Sequence, residues 1–241
     1  MSLYHLSNYE IKKGNKKIII PLGSTEQHGP HLPVSTDTII AEYFANQLTK
    51  KIPSYSLSGI PSGVSFEHRP FFNISISNDL LSELLSQICI SLGENGFNQI
   101  IILNGHRGNL GAVQYVPQKV ERINPKIKVF GINYWQLIER DFDHGGLVET
   151  SLMLAIAPKL VQMQKAKSGY LNKKMLHSTY SSFLSNTASF KITKNGVLGD
   201  PRNATMKEGK KIISVTMKNL ERTIIELDKL LTMKGYGSNI F

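Results

Sequence analysis

Three short apolar runs, each ending in a turn, constrain the fold of this chain more than any other feature. They span residues 17–23, 100–105 and 128–133, and the first two are rich in isoleucine. Their apolar residues are consecutive rather than alternating, as in parallel strands that are covered on both faces. The chain is therefore predicted to adopt an α/β fold with a mainly parallel sheet.

Helical segments separate and follow these runs, which places helices on both faces of the predicted sheet. Helices are predicted over residues 38–51, 78–92, 109–123 and 150–157. Pro117 is expected to break or kink the third of these. A last helix should begin at a capping box formed by Thr205 and Glu208 and end at Gly235. Residues 160–189 are less regular and are predicted to leave the core, as a lid or an interface arm.

Length and composition indicate a globular protein of 241 residues, predicted to be one domain over 1–241. The net charge is +10, but the basic residues are dispersed and accompany no nucleic-acid-binding motif. A solvated basic surface is the simpler interpretation, and an acidic or phosphorylated substrate is the alternative. No nucleic-acid or membrane partner is expected. The sequence shows no apolar leader or membrane-length segment, so a cytoplasmic location is expected.

A polar loop directly after the first apolar run carries the clearest functional signal. It contains four possible metal ligands, Glu26, His28, His31 and Asp37. The prolines and the glycine between them favour a stiff loop, which holds ligands in place before anything binds. Imidazole and carboxylate groups together suit Zn, Mn or Fe(II). The alternative interpretation is a polar turn with histidines on the surface.

Two further polar turns carry candidate ligands. His106 lies between Gly105 and Gly108 after the second apolar run and is a predicted metal ligand. A glycine-rich phosphate loop is the alternative, although the spacing matches neither common pattern. Further along, His144 lies in a glycine-rich turn and Glu149 opens an apolar helix. Glu149 is predicted to be a metal ligand or a catalytic carboxylate. The alternative is a structural role, as a first-turn carboxylate favoured by the helix dipole.

Ligands bind at the carboxyl ends of the strands in folds of this kind, so the three turns are expected to converge. Two histidines and two or three carboxylates are enough for two adjacent metal ions bridged by one carboxylate. Such a pair activates water and polarises a carbonyl group. His144 would then pass a proton to the leaving nitrogen. The sequence therefore predicts a metal-dependent hydrolase.

The run over residues 26–33 (EQHGPHLP), followed by Asp37, closely resembles the signature of the creatininase family of amidohydrolases. Residues 104–109, 144–151 and 199–209 resemble further motifs of that family in the same order, so the resemblance extends over nearly the whole chain. It implies a three-layer α/β/α sandwich, a homo-oligomer that is often a hexamer, and two divalent metal ions per subunit.

By position, the resemblance implies the ligands of both metal ions. Glu26, Asp37 and His106 would hold one ion. His28, Asp37 and a further glutamate would hold the other, with Asp37 as the bridge. Creatininase proper has a metal-binding glutamate two residues after the second-motif histidine, where this chain has glycine. Glu149 is the expected replacement.

Other positions bear on the substrate. His144 matches the proton-transfer histidine of the family. Creatininase closes over creatinine with tryptophans, whereas this chain has one, Trp135, so creatinine itself is not the expected substrate. Arg107 replaces a common glycine and is a candidate contact for a phosphate or carboxylate, or an ordinary solvated arginine. Ser65 and His68 follow a family-like glycine and either line the substrate pocket or belong to a surface loop.

Three functions remain in view. The leading hypothesis is hydrolysis of an amide, formamide or cyclic amide C–N bond in a small polar molecule. The family also includes deformylases of formamidopyrimidine nucleotides and a peptidase that processes the mycofactocin precursor, so a peptidase acting on a short peptide is the second. A metal-binding protein without catalysis is the third, and His144 beside a complete ligand set argues against it.

Overall fold

The computed structural model describes residues 2–141, 143–169 and 193–232 of the chain. Its main sheet has four parallel strands in the order β3-β1-β5-β6. These strands are β1 (Lys17–Leu22), β3 (Tyr55–Ser56), β5 (Gln99–Asn104) and β6 (Lys128–Asn133). A second, small sheet pairs β2 (Thr25–Glu26) with β4 (Asn73–Ile74) in antiparallel fashion. Because β2 directly follows β1 along the chain, the small sheet holds the first polar loop at the carboxyl end of the main sheet.

Helices cover both faces of the main sheet. The described helices are α1 (Asn8–Lys13), α2 (Thr36–Leu48), α3 (Asn78–Glu94), α4 (Leu110–Ile123), α5 (Leu147–Ile156) and α6 (Met206–Thr232). Helices α3 and α4 pack on one face, while α2, α5 and α6 pack on the other. The three layers confirm the predicted α/β/α sandwich.

The alternation of side chains along each strand builds two separate apolar cores. In β1, Ile19 faces the core under α2, α5 and α6, whereas Ile18 and Ile20 face the core under α3 and α4. All three are fully buried. Burying an isoleucine side chain stabilises a fold by about 1.5–3 kcal/mol. Since both faces of the sheet need apolar residues, the apolar residues of each strand are consecutive in the sequence rather than alternating with polar ones.

The predicted helices correspond to α2, α3, α4 and α5, with ends that differ from the predicted ones by up to three residues. Pro117 lies inside α4, so the helix is not broken there, and the kink that was the other expectation stays a prediction. Buried residues on both sides of the proline, among them Val113, Val116 and Val120, pack in the same core. This packing offsets the single backbone hydrogen bond that proline cannot make. Half of the predicted capping box is present at the start of α6, because Thr205 Oγ1 accepts a bond of 3.1 Å from the backbone N–H of Glu208. The other half is not formed: the N–H of Thr205 donates to Oγ of Ser151 at 3.3 Å, and the Glu208 carboxylate pairs with Arg140.

The irregular segment predicted over 160–189 is described only in part. Its beginning lies against the first polar loop, since the N–H of Gln162 donates to the carbonyl of His31 at 2.9 Å. Residues 170–189, and Gly235 at the expected end of α6, lie outside the described residues. Among the helices that are described, none combines the length and the apolar character needed to cross a membrane.

Candidate metal centre

The first polar loop places all four of its candidate ligands inside the molecule, but His31, 1% exposed, has its Nε2 2.8 Å from Oγ1 of Thr150 and belongs to none of the groups of ligand atoms found among the described residues. Glu26 is carried by β2, His28 follows in the loop, and Asp37 lies in the first turn of α2. Their exposed fractions are 0%, 0% and 2%. Burying ionisable groups is unfavourable unless they are paired or bind a metal ion. The loop is therefore built around a charged centre rather than around a surface turn.

The other two turns deliver their residues to the same place. His106 follows β5, and Glu149 lies in the first turn of α5, with exposed fractions of 4% and 1%. His144 stands before α5 and is half-buried. Its backbone pairs with Leu198, which accepts at 3.1 Å and donates at 2.8 Å. The three turns thus converge at the carboxyl edge of the sheet, as predicted.

Asp37 lies at the middle of the cluster and faces a different histidine with each oxygen. Its Oδ1 is 3.0 Å from Nε2 of His28, and its Oδ2 is 3.0 Å from Nδ1 of His106. The hydroxyl of Ser24 donates to Oδ2 at 2.7 Å. A carboxylate with its oxygens divided between two imidazoles has the arrangement of a bridging ligand.

Glu26 is surrounded by the nitrogens of three histidines. Its Oε1 lies 2.9 Å from Nε2 of His68, 3.2 Å from Nδ1 of His106 and 3.9 Å from Nδ1 of His144. Burial raises the pKa of the Glu26 carboxyl, but the attraction of His106 and hydrogen bonds from His106 and His68 outweigh it, so this pKa lies well below its usual value. Two ligands at right angles on an ion, each about 2.1 Å from it, are about 3 Å apart. The spacing around Glu26 is therefore that of side chains directed at a common point.

Glu149 completes the cluster on the side of His28. Its Oε2 is 3.6 Å from Nε2 of His28 and accepts a bond of 2.6 Å from the backbone N–H of Gly145. Gly145 has a φ of 59°, and a Cβ on it would lie 2.9 Å from the carbonyl oxygen of His28. A glycine is thus needed to bring this turn against the first loop. Glu149 is held by that turn as well as by the helix dipole.

Backbone carbonyls determine which nitrogen of three histidines carries the hydrogen of the neutral ring. The carbonyls of Glu26, Val64 and Gln27 lie 3.1 Å from Nδ1 of His28, 2.8 Å from Nε2 of His106 and 2.8 Å from Nε2 of His144. A carbonyl only accepts, so these three nitrogens are donors. The other nitrogen of each ring then presents its lone pair to the carboxylates. Metal-binding histidines are commonly held in this way.

These observations meet the requirements of a divalent metal site. Lone pairs of imidazole and carboxylate groups repel one another at 3 Å unless a proton or a cation lies between them. The donor set is nitrogen and oxygen, which suits Zn, Mn or Fe(II). Among the described residues, four triads have ligand atoms within 4.8 Å of one another: Glu26 with His28 and Asp37, His28 with His144 and Glu149, Glu26 with His68 and His144, and Glu67 with His68 and His106. The residues therefore fit a metal centre.

The pKa values show how strongly the groups of the cluster depend on one another. Burial lowers the pKa of His28, but the attraction of Asp37 and Glu149 outweighs it, so this pKa lies well above its usual value. Burial raises the pKa of Asp37, yet the attraction of His28 brings it to about 2. Burial raises the pKa of Glu149. Without a metal ion, protons therefore occupy the centre, and metal binding must displace them.

His144 differs from the other histidines in its electrostatics. Burial lowers its pKa, and the charges of His28 and His68 lower it further, well below the usual value of a histidine. The neutral ring is therefore the favoured form, with the lone pair of Nδ1 facing Glu26. Nearby, burial raises the pKa of Asp143 to about 7, and the charge of Glu149 adds to the effect. Asp143 accepts a bond of 3.0 Å from the N–H of Val148 and so holds the start of α5.

The structure also locates the residues that the sequence suggested as substrate contacts. Ser65 is buried, and its Oγ lies 3.5 Å from Nε2 of His106. His68 is buried inside the cluster rather than on a surface loop. Arg107 is exposed beside His106, at the start of a short 3-10 turn. Contact of these residues with a substrate stays a prediction.

Two roles were missed by sequence reasoning. The side chain of Asn109 joins two loops of the site. Its Oδ1 accepts a bond of 2.9 Å from the N–H of Val64, and its Nδ2 donates to the carbonyl of Gly23 at 3.0 Å. Gln27 contacts both His68 and His144 at 3.2 Å. The position of Gln27 between the two candidate ligands Glu26 and His28 could have indicated a role in the site, but a glutamine is not itself a typical metal ligand.

Gly108 is required by the packing around His106. A Cβ at this position would lie 2.0 Å from the carbonyl oxygen of Val64 and 2.4 Å from both Oε1 of Glu67 and Nε2 of His106. Gly108→Ala should therefore displace His106 and weaken metal affinity by about 10–100-fold, as loss of support around a metal ligand does. Binding of Zn²⁺ to chelator-treated protein measures the effect.

Gly111→Ala is the matched control for this substitution. Gly111 lies in α4, where an added Cβ would meet the side chain of Asn78 at 3.1 Å and nothing of the cluster. It should bind Zn²⁺ as the unmodified protein does. Equal affinities of the Gly108 and Gly111 variants would contradict the proposed need for glycine beside His106.

Comparisons with known proteins identify the family of the chain. The family model described as Creatininase, creatinine amidohydrolase, matches residues 5–224. The mycofactocin precursor peptide peptidase of Mycobacterium tuberculosis is 31% identical over 229 residues, which cover 89% of this chain and 87% of that protein. Creatinine amidohydrolase of Pseudomonas putida is 22% identical over 243 residues, covering 90% and 91%. The solved structure "Creatininase Mn" has a TM-score of 0.77 at 20% identity, over 94% of this chain and 98% of that one. From its motifs, its fold and the family match over most of its length, this chain belongs to the creatininase family.

Proposed function

We propose that the protein hydrolyses an amide C–N bond of a small polar molecule at a centre of two divalent metal ions. The observation that carries this proposal is the position of Asp37, whose two oxygens each lie 3.0 Å from the nitrogen of a different histidine. One carboxylate between two imidazoles is the arrangement expected of a dinuclear rather than a mononuclear site.

The cluster divides naturally into two sets of ligands. Glu26, Asp37 and His106 would hold one ion, because Nδ1 of His106 lies 3.2 Å from Oε1 of Glu26 and 3.0 Å from Oδ2 of Asp37. His28, Asp37 and Glu149 would hold the other, because Nε2 of His28 faces both carboxylates at 3.0 and 3.6 Å. Zn, Mn and Fe(II) are all compatible with these ligands.

Divalent ions bound there would polarise the substrate carbonyl and lower the pKa of water. His144 is placed to move the proton that the reaction transfers. The lone pair of its Nδ1 faces Glu26 at 3.9 Å, and its Nε2–H donates to the carbonyl of Gln27 at 2.8 Å. That carbonyl stabilises the ring when Nδ1 takes up a proton, as a fixed acceptor does for other catalytic histidines. The same nitrogen then donates to the leaving nitrogen of the amide.

A peptidase acting on a short peptide is the second candidate. The 31% identity with a mycofactocin precursor peptide peptidase over 89% of this chain favours it, and a peptide bond is an amide of the same chemistry. The restriction to non-peptide C–N bonds therefore stays a prediction. A metal-binding protein without catalysis is the third candidate, which the placement of His144 argues against.

One screen separates the three candidates. Purified protein is analysed for metal content and then assayed against formamides, lactams and short peptides, with chelator-treated protein as the control. We expect metal-dependent turnover of a formamide or lactam. Turnover of peptides alone would favour the peptidase, and a full complement of metal without turnover of any amide would contradict hydrolysis.

Several expectations remain part of this proposal. A homo-oligomer, up to a hexamer, and a single domain over 1–241 follow from the family resemblance and the length of the chain. A cytoplasmic location and the lack of nucleic-acid and membrane partners also stay expectations from the sequence. A phosphate or carboxylate on the substrate is the expected partner of the exposed Arg107.

A further inference from the structure

We propose that His31 is a positioning residue of the metal centre, which holds Glu149 in place through the hydroxyl of Thr150. His31 belongs to the same loop as Glu26 and His28, yet it is in none of the groups of ligand atoms found among the described residues. The inference deepens the proposed function and rests on its dinuclear centre, because it gives a role to the histidine of the first loop that binds no metal ion there.

The ring of His31 is buried and contacts helix α5 rather than the carboxylates of the centre. Only 1% of the residue is exposed, and its Nε2 lies 2.8 Å from Oγ1 of Thr150. Thr150 is itself fully buried. Removing either partner would leave a buried polar atom of the other without a hydrogen bond, which is unfavourable because water cannot reach it. The two side chains therefore hold each other in place.

This bond joins segments that are 119 residues apart in the sequence. Thr150 lies in the first turn of α5, directly after Glu149. A second link stands before the glutamate, because Nε2 of His144 lies 2.8 Å from the carbonyl of Gln27. Gln27 and His31 both belong to the first polar loop. The turn that carries Glu149 is thus attached to this loop on both sides of the glutamate.

Further hydrogen bonds at this turn are local. Asp143 accepts from the backbone N–H of Val148 at 3.0 Å and from that of Glu149 at 3.4 Å. Oε2 of Glu149 accepts from the N–H of Gly145 at 2.6 Å. The partners in these bonds are only four to six residues apart in the sequence. Such bonds shape the turn, but they do not fix its distance from the first loop.

The distance from Glu149 to His28 is the one that the bond to His31 protects. Oε2 of Glu149 lies 3.6 Å from Nε2 of His28, with which it would hold one of the two ions. Side chains of a binding site must stay within about 0.5 Å of their working positions, so a shift of the first turn of α5 should weaken this ion. The ligands proposed for the other ion are Glu26, Asp37 and His106, none of which lies on α5.

Thr150→Val tests the proposal, because it removes the hydroxyl and nearly preserves the shape of the side chain. Isothermal titration calorimetry of chelator-treated protein with Zn²⁺ measures the affinity for each ion. We expect one affinity to fall by about 10–100-fold, as after loss of support around a metal ligand, and the other to stay unchanged. Thr150→Ser keeps the hydroxyl and should recover the lost affinity. His31→Phe removes the other partner of the bond and should lower the same affinity, which repeats the test if Thr150→Val does not fold.

Two further variants identify the affected ion and control for folding. Glu149→Gln should bind one ion per chain, and adding Thr150→Val to it should not change the affinity for that ion. Thr216→Val is the matched control, because Thr216 is another fully buried helical threonine, whose Oγ1 has no hydrogen-bond partner in the described part of the chain. It should bind both ions as the unmodified protein does. Circular dichroism of the chelator-treated variants shows that each is folded.

Three outcomes separate this inference from the proposed function. Unchanged affinities in Thr150→Val, or an equal fall in both, would overturn the inference and leave the dinuclear centre in place. Saturation of the unmodified protein at one ion would overturn the inference together with the dinuclear centre. If the unmodified protein bound two ions but hydrolysed no amide, the proposed function would fail while a selective loss of affinity in Thr150→Val would still support the role of His31.

Discussion

Asp37→Ala should lose both metal ions and all measurable hydrolysis. Its two oxygens face His28 and His106, so removing the carboxylate takes one ligand from each half of the centre. It also leaves His28 with Glu149 and His106 with Glu26 as the nearest remaining carboxylates of the centre. Metal ions that polarise the substrate and activate water lower the activation free energy by several kcal/mol, so their loss should slow hydrolysis by roughly 10⁴-fold. Metal content by mass spectrometry and the hydrolysis rate are the two measurements.

Asp79→Ala is the matched control, because Asp79 is also a first-turn aspartate but lies exposed at the start of α3. It should keep the metal content and the rate of the unmodified protein. Asp37→Asn, which preserves shape and removes charge, should resemble Asp37→Ala. An Asp37→Ala protein that kept one tightly bound ion per chain would contradict the bridging role and assign Asp37 to a single site.

His144→Gln should separate proton transfer from metal binding. Metal content should stay unchanged, because the ligand sets of Glu26, His28, Asp37, His106 and Glu149 remain intact. The value of kcat should fall by about 10²–10⁴-fold, the usual contribution of a general acid or base. His5→Gln, a substitution of an exposed histidine outside the cluster, is the control and should change neither quantity. Loss of metal from His144→Gln would show that His144 is a ligand and contradict the proton-transfer role.

The central strands were predictable from sequence to within one residue at either end. Strands buried on both faces need apolar residues at every position, and the runs around Ile19 and Ile101 supply them. The strands β2, β3 and β4 were not predicted, because two residues are too short for any periodic signal. Their places depend on backbone pairing between distant segments. Helix α4 continues through Pro117 because core packing outweighs the local preference of proline.

The site was predictable in its parts but not in its connections. Strand ends carry ligands in folds of this class, which brought Glu26, His106 and Glu149 to one edge without knowledge of the distances. The contact between Gln27 and His68 could not be predicted, because the orientation of the Gln27 amide depends on the backbone of Gly196, 169 residues further along the chain. Which atoms of the site donate hydrogen bonds and which accept them depends on the folded structure and cannot be deduced from a sequence motif.

Electron paramagnetic resonance of Mn²⁺ bound to chelator-treated protein tests the central claim most directly. The account predicts that binding saturates at two ions per chain and that the saturated protein shows the spectrum of two magnetically coupled Mn²⁺ ions, because one carboxylate, Asp37, lies between them. The uncoupled spectrum of isolated Mn²⁺ at saturation, or saturation at one ion per chain, would contradict it.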